Sequence, residues 1–493
     1  MLSSGTVLAL CCIASMADTA IASQVHQQSP PSISFPPPSL SVSVSPWDDV
    51  RPRPLFGFGN EFIFQTNSDK RLNAALRQAG SELSRFPGGT PSDYWLWSEG
   101  WINQTSDRSG SANLPLRPTN VTELHQYLQN ATIKQASVLV LNQLQTNITY
   151  QLQGLHAHQD AGTRIQFVEL GNEMYDATRP DVLAAYPQPK DYAERMASWT
   201  AAIKTAFPTS QVALVGVANY WDNRTQLWNQ QVLQNPISQQ ADAATIHLYA
   251  GLPSEPLTPD TFPKILALAA KNVDGYQGYT DSTIPNRFRL WVTEWGTFGN
   301  TDIFNTWLQG LVHVAFTLLL PRIPRIDIIL PYCAVCGDPA MPSFTSQYGP
   351  IEPVNATDAL WNRTASGHTY AVLFNAVQNM SYVSSASFSP NPNLDPDVDN
   401  SHQLEGLYFF HDSGRSSAFS LVFTNLGSIT VSVKLNGALQ CSSSNAVADV
   451  YYPNTQADIT RKNILVDDLG HLHLENPSLL IAPPYSMAVY TCA

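Results

Sequence analysis

From Leu55 to about residue 330 the chain alternates short apolar runs with helix-period stretches, and this alternation limits the folds open to it. The apolar runs are Leu55–Phe64, Glu82–Arg85, Ser137–Leu141, Gln166–Leu170, Val212–Val217, Ala243–Leu248, Phe288–Val292 and Arg325–Leu330. Amphipathic stretches lie between them, at Asp69–Gln78, Val121–Leu128, Tyr192–Ala206, Phe262–Lys271 and Ile303–Leu319. Each run is separated from the next by a helical or crossover segment, so the strands are expected to lie parallel. Eight such units predict an α/β fold, a closed (β/α)₈ or TIM barrel over residues 55–380, with Tyr370–Val377 as its last helix.

At 493 residues the chain exceeds what one core usually holds, and its texture changes after about residue 380. Leu407–His411, Ala418–Thr424, Thr430–Leu435, Ala448–Tyr452, His471–Leu474 and Ser486–Cys492 are strand-like runs separated by turn residues. A C-terminal antiparallel β-sandwich over residues 381–493 is expected. Leu480–Ser486 reads as a turn into the final strand. Residues 23–54 are rich in Pro and Ser and read as a linker. Within them Ser39–Val44 alternates strictly and suits one half-buried strand of the sandwich.

The first 22 residues have the form of an export signal. Thr6–Ala14 is apolar and Ala20-Ile21-Ala22 has the small-x-small form of a cleavage site, although no Lys or Arg precedes the run. The run is far short of the roughly 18–20 apolar residues of a membrane span, so no stable membrane insertion is expected. Asn-x-Ser/Thr acceptors at Asn103, Asn120, Asn130, Asn147, Asn223, Asn355, Asn362 and Asn379 fit a glycosylated product. Four cysteines follow the signal, and three pairings are open to them. Cys441 and Cys492 sit in the all-β tail, where a bridge could pin the last strand. Cys333 and Cys336 form a lone C-x-x-C, which reads as a local disulfide or free thiols before a zinc site. Export to the extracellular space or cell wall, or to a lysosome- or vacuole-like compartment, follows as an expectation. The net charge of −13 speaks against nucleic acid as a partner, and 11 Trp fit an aromatic-lined groove. The oligomeric state is left open.

Two strand-like runs end in glutamate: Phe167-Val168-Glu169-Leu170-Gly171-Asn172-Glu173 and Leu290-Trp291-Val292-Thr293-Glu294-Trp295. In a (β/α)₈ barrel the C-terminal strand ends and the loops after them carry the chemistry, so Glu173 and Glu294 share one rim. A sugar acetal needs one acid to protonate its leaving oxygen and one carboxylate to meet the cationic carbon. Glu169 shares a face with Glu173 by the period-two rule and lies deeper, as a buried hydrogen-bonded carboxylate. The Asn60-Glu61 pair in Gly57–Glu61 reads as a bend in the barrel wall. The chain lacks a phosphate-binding G-x-x-x-x-G-K-[ST], a zinc-binding H-E-x-x-H and a G-x-S-x-G elbow.

The Asn172-Glu173 pair with the later Glu294 resembles the clan of retaining glycoside hydrolases built on this barrel. The loop Arg85-Phe86-Pro87-Gly88-Gly89-Thr90-Pro91-Ser92-Asp93-Tyr94-Trp95 narrows the resemblance to the heparanase and β-glucuronidase family, and more loosely to α-L-arabinofuranosidases. The resemblance implies that Glu173 is the general acid and base, with a raised pKa, and that Glu294 is the nucleophile. It implies that Asn172 bonds the sugar 2-hydroxyl. Arg85 is expected to hold Glu294 ionised, Tyr249 to donate to it, and His247 to line the subsite. Tyr94, Trp97, Tyr175 and Trp295 are candidate sugar-stacking platforms. An oligosaccharide, polysaccharide or glycoconjugate substrate is expected, and neither cofactor nor metal. Few Lys or Arg fall on the rim loops, which favours a neutral or singly acidic glycan over a sulfated one. An arabinofuranosidase and a non-catalytic carbohydrate-binding barrel are the alternatives.

Overall fold

Eight parallel strands close into a barrel in chain order: Leu55–Gly59, Leu83–Phe86, Ala136–Val140, Phe167–Glu169, Gln211–Val215, Ala243–Gly251, Arg289–Phe298 and Ile326–Ile329. The last pairs back onto the first through Ile328 and Leu55. The computed structural model describes residues 39–44, 50–59, 70–103, 119–252, 262–298, 301–303, 306–332, 334, 345–347, 361–363, 365–389, 404–411, 418–435, 441, 446–461, 464, 468–475 and 477–492. The expected export signal, Glu61 and the pair Cys333 and Cys336 lie outside the described residues.

All eight expected strands form, with ends shifted by a few residues. Inside the barrel Leu83, Val138, Phe167, Trp291 and Ile328 pack with Ala136, Ala213 and Ala243. The alanines leave room for the two large rings, and Phe167 meets Trp291 edge-on at 5.5 Å. This plug closes the barrel below the rim, so chemistry is confined to the C-terminal end.

The helices between the strands hold two that no apolar stripe announces. Ile148–Asp160 turns Gln151, Gly154, Leu155 and His158 inward, and Asn223–Val232 turns Thr225, Trp228, Asn229 and Val232 inward. Their polar inner faces are satisfied locally, as where Asn229 Nδ2 donates to the Val217 carbonyl at 2.9 Å. Both begin at a side-chain cap: Asn147 accepts from Tyr150 N, and Asp222 from Thr225 N. The helix Trp307–Leu319 is buried on every side because it lies between two layers. Its Trp307 Nε1 donates to Tyr485 O in the sandwich at 2.8 Å.

The C-terminal part is a ten-stranded sheet folded over itself into a sandwich. Tyr382–Ser389 makes the corner. Its first half pairs with Leu404–Phe410 and its second half with Ser39–Val44. One arm continues through Val431–Leu435 to Leu479–Ala482, the other through Phe419–Asn425, Ser486–Cys492 and Ala446–Pro453 to Leu469–Glu475. Leu40, Val42, Val433 and Leu480 of the first arm meet Leu421, Phe423, Ala448 and Tyr490 of the second. The disulfide Cys441–Cys492 ties the final strand. Ser39–Val44 is the strand expected of it. It pairs parallel with Val431–Leu435, so the sandwich is antiparallel except for this one pair. Two readings are corrected: Leu479–Ala482 is a strand and not a turn, and Arg51–Pro52 pairs with Tyr382–Val383 rather than acting as free linker. The strand Tyr382–Ser389 was not anticipated. Leu407, Phe409, Val422, Met487 and Val489 on the outer face of the longer arm join the core that fills the barrel's helix layer.

Trp291 is wholly buried in the barrel plug. Trp291→Ala should lower unfolding free energy by about 3–5 kcal/mol, read as a lower urea midpoint at unchanged slope. A shift under about 1 kcal/mol would mean that the plug does not carry the barrel.

Candidate active site

Four strand ends build the site. Leu83–Phe86 carries Arg85, the segment leaving Phe167–Glu169 carries Asn172 and Glu173, Ala243–Gly251 carries His247 and Tyr249, and Arg289–Phe298 carries Glu294. In the ladder between the last two, His247 lies beside Glu294, after a register shift between Ile246 and His247. Gly171 sits at φ 91°, where a Cβ would meet Gln143 Nε2 at 2.6 Å. Glu173 itself has φ 50°, a left-handed conformation that costs a non-glycine residue energy. These two residues turn the chain off the fourth strand and aim the Glu173 carboxyl at the barrel axis.

Arg85 is the hub. Its Nε donates to Glu169 Oε2 at 2.8 Å and its Nη2 to Glu169 Oε1 at 3.0 Å, so Glu169 is gripped at two points. Nη1 donates to Glu294 Oε1 at 2.5 Å and Nη2 also to Asn172 Oδ1 at 2.8 Å. Burial alone would lower the Arg85 pKa, but the charges of Glu169 and Glu294 raise it on balance. Glu169 is the buried, hydrogen-bonded carboxylate expected below the rim, and it also accepts from Thr293 Oγ1 at 3.3 Å.

The second carboxyl of the pair has a different setting. Glu173 Oε1 accepts from Tyr175 Oη at 2.9 Å and lies 2.8 Å from His247 Nδ1. His247 Nδ1 is also 3.4 Å from Glu294 Oε2, to which the Tyr249 hydroxyl donates at 2.6 Å. One donor atom from each of Glu173, His247 and Glu294 lies within 4.8 Å of the others. Burial pushes the Glu173 carboxyl up, yet the His247 hydrogen bond and charge, with Tyr175 and Arg85, outweigh it and bring it down to about 2. Burial lowers His247, and the charges of Glu294 and Glu173 raise it above its usual value. The expectation of a raised Glu173 pKa is therefore corrected for the free site. Both shifts have one origin, since two carboxylates face that one ring. A metal ion is a poor occupant of the triad, since Arg85 and two tyrosine hydroxyls already point at its oxygens.

The structure brings Arg85, Asn172, Glu173, Tyr175, His247, Tyr249 and Glu294 together. Tyr175 meets Glu173 through its hydroxyl and is buried, so it serves as a hydrogen-bond donor and not as an open platform. Trp295 is not at the site. It is fully buried among His313, Phe316 and Tyr370 in the helix layer, because adjacent strand residues face opposite ways and Glu294 faces inward. Tyr94 is likewise buried, and its hydroxyl donates to Asp181 Oδ2 at 2.5 Å. Trp97 packs on Tyr150 at 5.4 Å.

Two groups escaped the sequence reading. Asp93 Oδ1 accepts from Asn172 N at 3.1 Å, and Arg179 Nη1 donates to Asp93 Oδ2 at 2.8 Å. Burial lifts the Asp93 carboxyl to about 6 despite Arg179. Asp93 lies in the loop after Arg85, so an acidic residue in that loop was the available signal. The other group is Tyr220 and Trp221, which stand more than half exposed after the fifth strand, with Trp221 edge-on to Tyr175 at 5.5 Å.

No protein-family model matches the chain, and no curated protein matches it by sequence. Solved structures do match. A family 51 α-L-arabinofuranosidase from Bifidobacterium longum is 14% identical at a TM-score of 0.68, covering 92% of this chain and 100% of its own. A 4-O-α-L-rhamnosyl-β-D-glucuronidase from Fusarium oxysporum 12S is 10% identical at a TM-score of 0.61, with the same coverage of 92% and 100%. The catalytic domain of a GH30 xylanase C from Talaromyces cellulolyticus is 13% identical at a TM-score of 0.53, again over 92% and 100%. The shared feature is the fold. At these identities the likeness speaks for the architecture over nearly the whole chain.

The Glu173–His247 pair carries a pH signature. The depressed Glu173 contributes stability that is present above its ordinary value of 4.5 and is lost as pH falls through about 2. The raised His247 contributes stability that is present below its ordinary value of 6.5 and is lost as pH rises through its elevated folded value. A double-mutant cycle with Glu173→Gln and His247→Gln, followed from about pH 5.5 upward, should therefore show coupling that is strongest near 5.5 and falls once the elevated His247 value is passed. Coupling that stays flat across the whole alkaline titration would contradict the ion pair.

Proposed function

We propose that the chain is a retaining glycoside hydrolase in which Glu294 is the nucleophile and Glu173 the general acid and base. The observation that carries this reading is that one oxygen of each carboxyl lies within 4.8 Å of the other, between His247 and Tyr249. Retaining enzymes hold their carboxyl groups about 5–5.5 Å apart, whereas inverting enzymes leave about 6.5–9.5 Å for a water. Arg85 and Tyr249 donate to Glu294 and hold it toward the anomeric carbon. The proton for the leaving oxygen is kept between His247 and Glu173. As Glu294 bonds to carbon and the glycosidic C–O bond breaks, the departing oxygen takes that proton through Glu173. Glu173, again ionised, then draws a proton from water, whose oxygen attacks the same carbon and frees Glu294. Two converging carboxyls with different hydrogen-bond partners also favour an enzyme over a non-catalytic carbohydrate-binding barrel.

For the sugar, a neutral glycoside such as an α-L-arabinofuranoside is favoured over a uronide. Arg85 and Arg179, the guanidinium groups that reach Asn172, both spend their charge on buried carboxylates. A β-glucuronide is the second reading, supported by the resemblance in the Arg85–Trp95 loop and by the fold shared with the rhamnosyl-glucuronidase. We further read the chain as exported. Its apolar N-terminal run and the Cys441–Cys492 bridge both support an oxidising route.

A panel of aryl arabinosides, glucosides, galactosides and glucuronides tests the assignment. Turnover of at least one is expected, with proton NMR showing first-formed product of unchanged anomeric configuration. Glu294→Ala should lower kcat at least about a thousandfold while leaving the circular dichroism spectrum unchanged. Activity that survives this change, or an inverted product, would sink the assignment.

A further inference from the structure

The outward face of the sandwich edge carries a second convergence of titratable side chains. Leu469–Glu475 ends the longer arm, and among the described residues it pairs with Ala446–Pro453. Strand alternation puts His471, His473 and Glu475 on one face. In the antiparallel register Asp449 lies opposite His473 and Tyr451 opposite His471. His471 Nε2 and His473 Nδ1 reach the same atom, Asp449 Oδ1, at 2.8 and 2.9 Å. All three donor atoms lie within 4.8 Å of one another.

The rings are held before any ligand arrives. His471 lies flat on Tyr451, with centroids 4.6 Å apart and planes 4° from parallel. Tyr451 in turn meets His368, on the barrel helix Ala365–Val377, edge-on at 4.6 Å. The cluster therefore stands at the seam between sandwich and barrel, and half-exposed His473 leaves it open to solvent. Glu475, on the same face two residues on, adds a further carboxylate beside the cluster.

We propose that Asp449, His471 and His473 bind a divalent transition-metal ion of the zinc class, clipping the edge strand to its neighbour. Two imidazoles with one carboxylate suit zinc, copper or nickel better than calcium or magnesium, which prefer all-oxygen sites. Bonds of about 2.0–2.1 Å in a tetrahedron set donor atoms about 3.3 Å apart, so the present contacts open by about half an ångström. Each ring needs only to carry its proton on its other nitrogen. The fourth position faces solvent and takes water.

Zinc chloride titrated into the full chain in a calorimeter, with cobalt(II) absorption as a second readout, tests this. One saturable equivalent is expected, with a rise in thermal midpoint as zinc increases. His471→Ala, His473→Ala and the near-isosteric Asp449→Asn should each weaken binding by a factor of about ten or more. The active-site change His247→Ala should leave it intact. An absence of saturable binding, equal binding in the three edge-strand variants, or loss only in His247→Ala would each overturn the proposal.

Discussion

A single guanidinium, that of Arg85, joins the second, fourth and seventh barrel strands at the level where the chemistry would occur. It donates to Glu169, Asn172 and Glu294, and none of its surface meets solvent. Taking such charges out of water is expensive, and the cost is offset only where the geometry satisfies nearly every donor. Glu169 has no place in the proposed bond-making, yet it makes the hub possible. It takes two of the donors and leaves the remaining reach for Asn172 and Glu294. Breaking a buried pair of this kind generally costs about 3–5 kcal/mol, so the same contacts that orient Glu294 also hold the barrel rim.

The two glutamates of the proposed reaction are chemically identical residues placed in different company. Glu294 faces a permanent cation and a tyrosine hydroxyl, while Glu173 faces a histidine that can give up its proton. Different environments for paired titratable groups are what separate acid from nucleophile. In the free site the facing carboxylates raise the His247 ring, and that ring lowers Glu173. A substrate that displaces water from the pair would favour the neutral arrangement, with the proton on the carboxyl. Beside them Asp93 and Arg179 fix the backbone of Asn172, so the loop that carries Glu173 is braced.

The barrel was legible because its strands are buried on both faces and stand out as apolar runs between helices. Helices Ile148–Asp160 and Asn223–Val232 escaped because Gln, Asn, Thr and His fill their inner faces, so no apolar stripe marks them. Tyr382–Ser389 escaped for a related reason: four of its eight residues are serine, and its role as a corner depends on partners far away in sequence. At the site, the strand-end glutamates, Arg85, Tyr249 and His247 were readable from position alone. Trp295 was misread although its neighbour Glu294 already settled which way it faces. Asp93 and Arg179 act only through contacts closed by the fold, some 86 residues apart in the chain.

The central claim is that Glu294, held in place by Arg85, makes a covalent bond to the sugar. A 2-deoxy-2-fluoro glycoside of whichever sugar the enzyme turns over, with an activated leaving group, should trap that intermediate for peptide mass mapping. The account predicts one glycosyl adduct per chain, on the peptide that contains Glu294. An adduct on Glu173 or Glu169, or steady turnover with no trapped species, would contradict it.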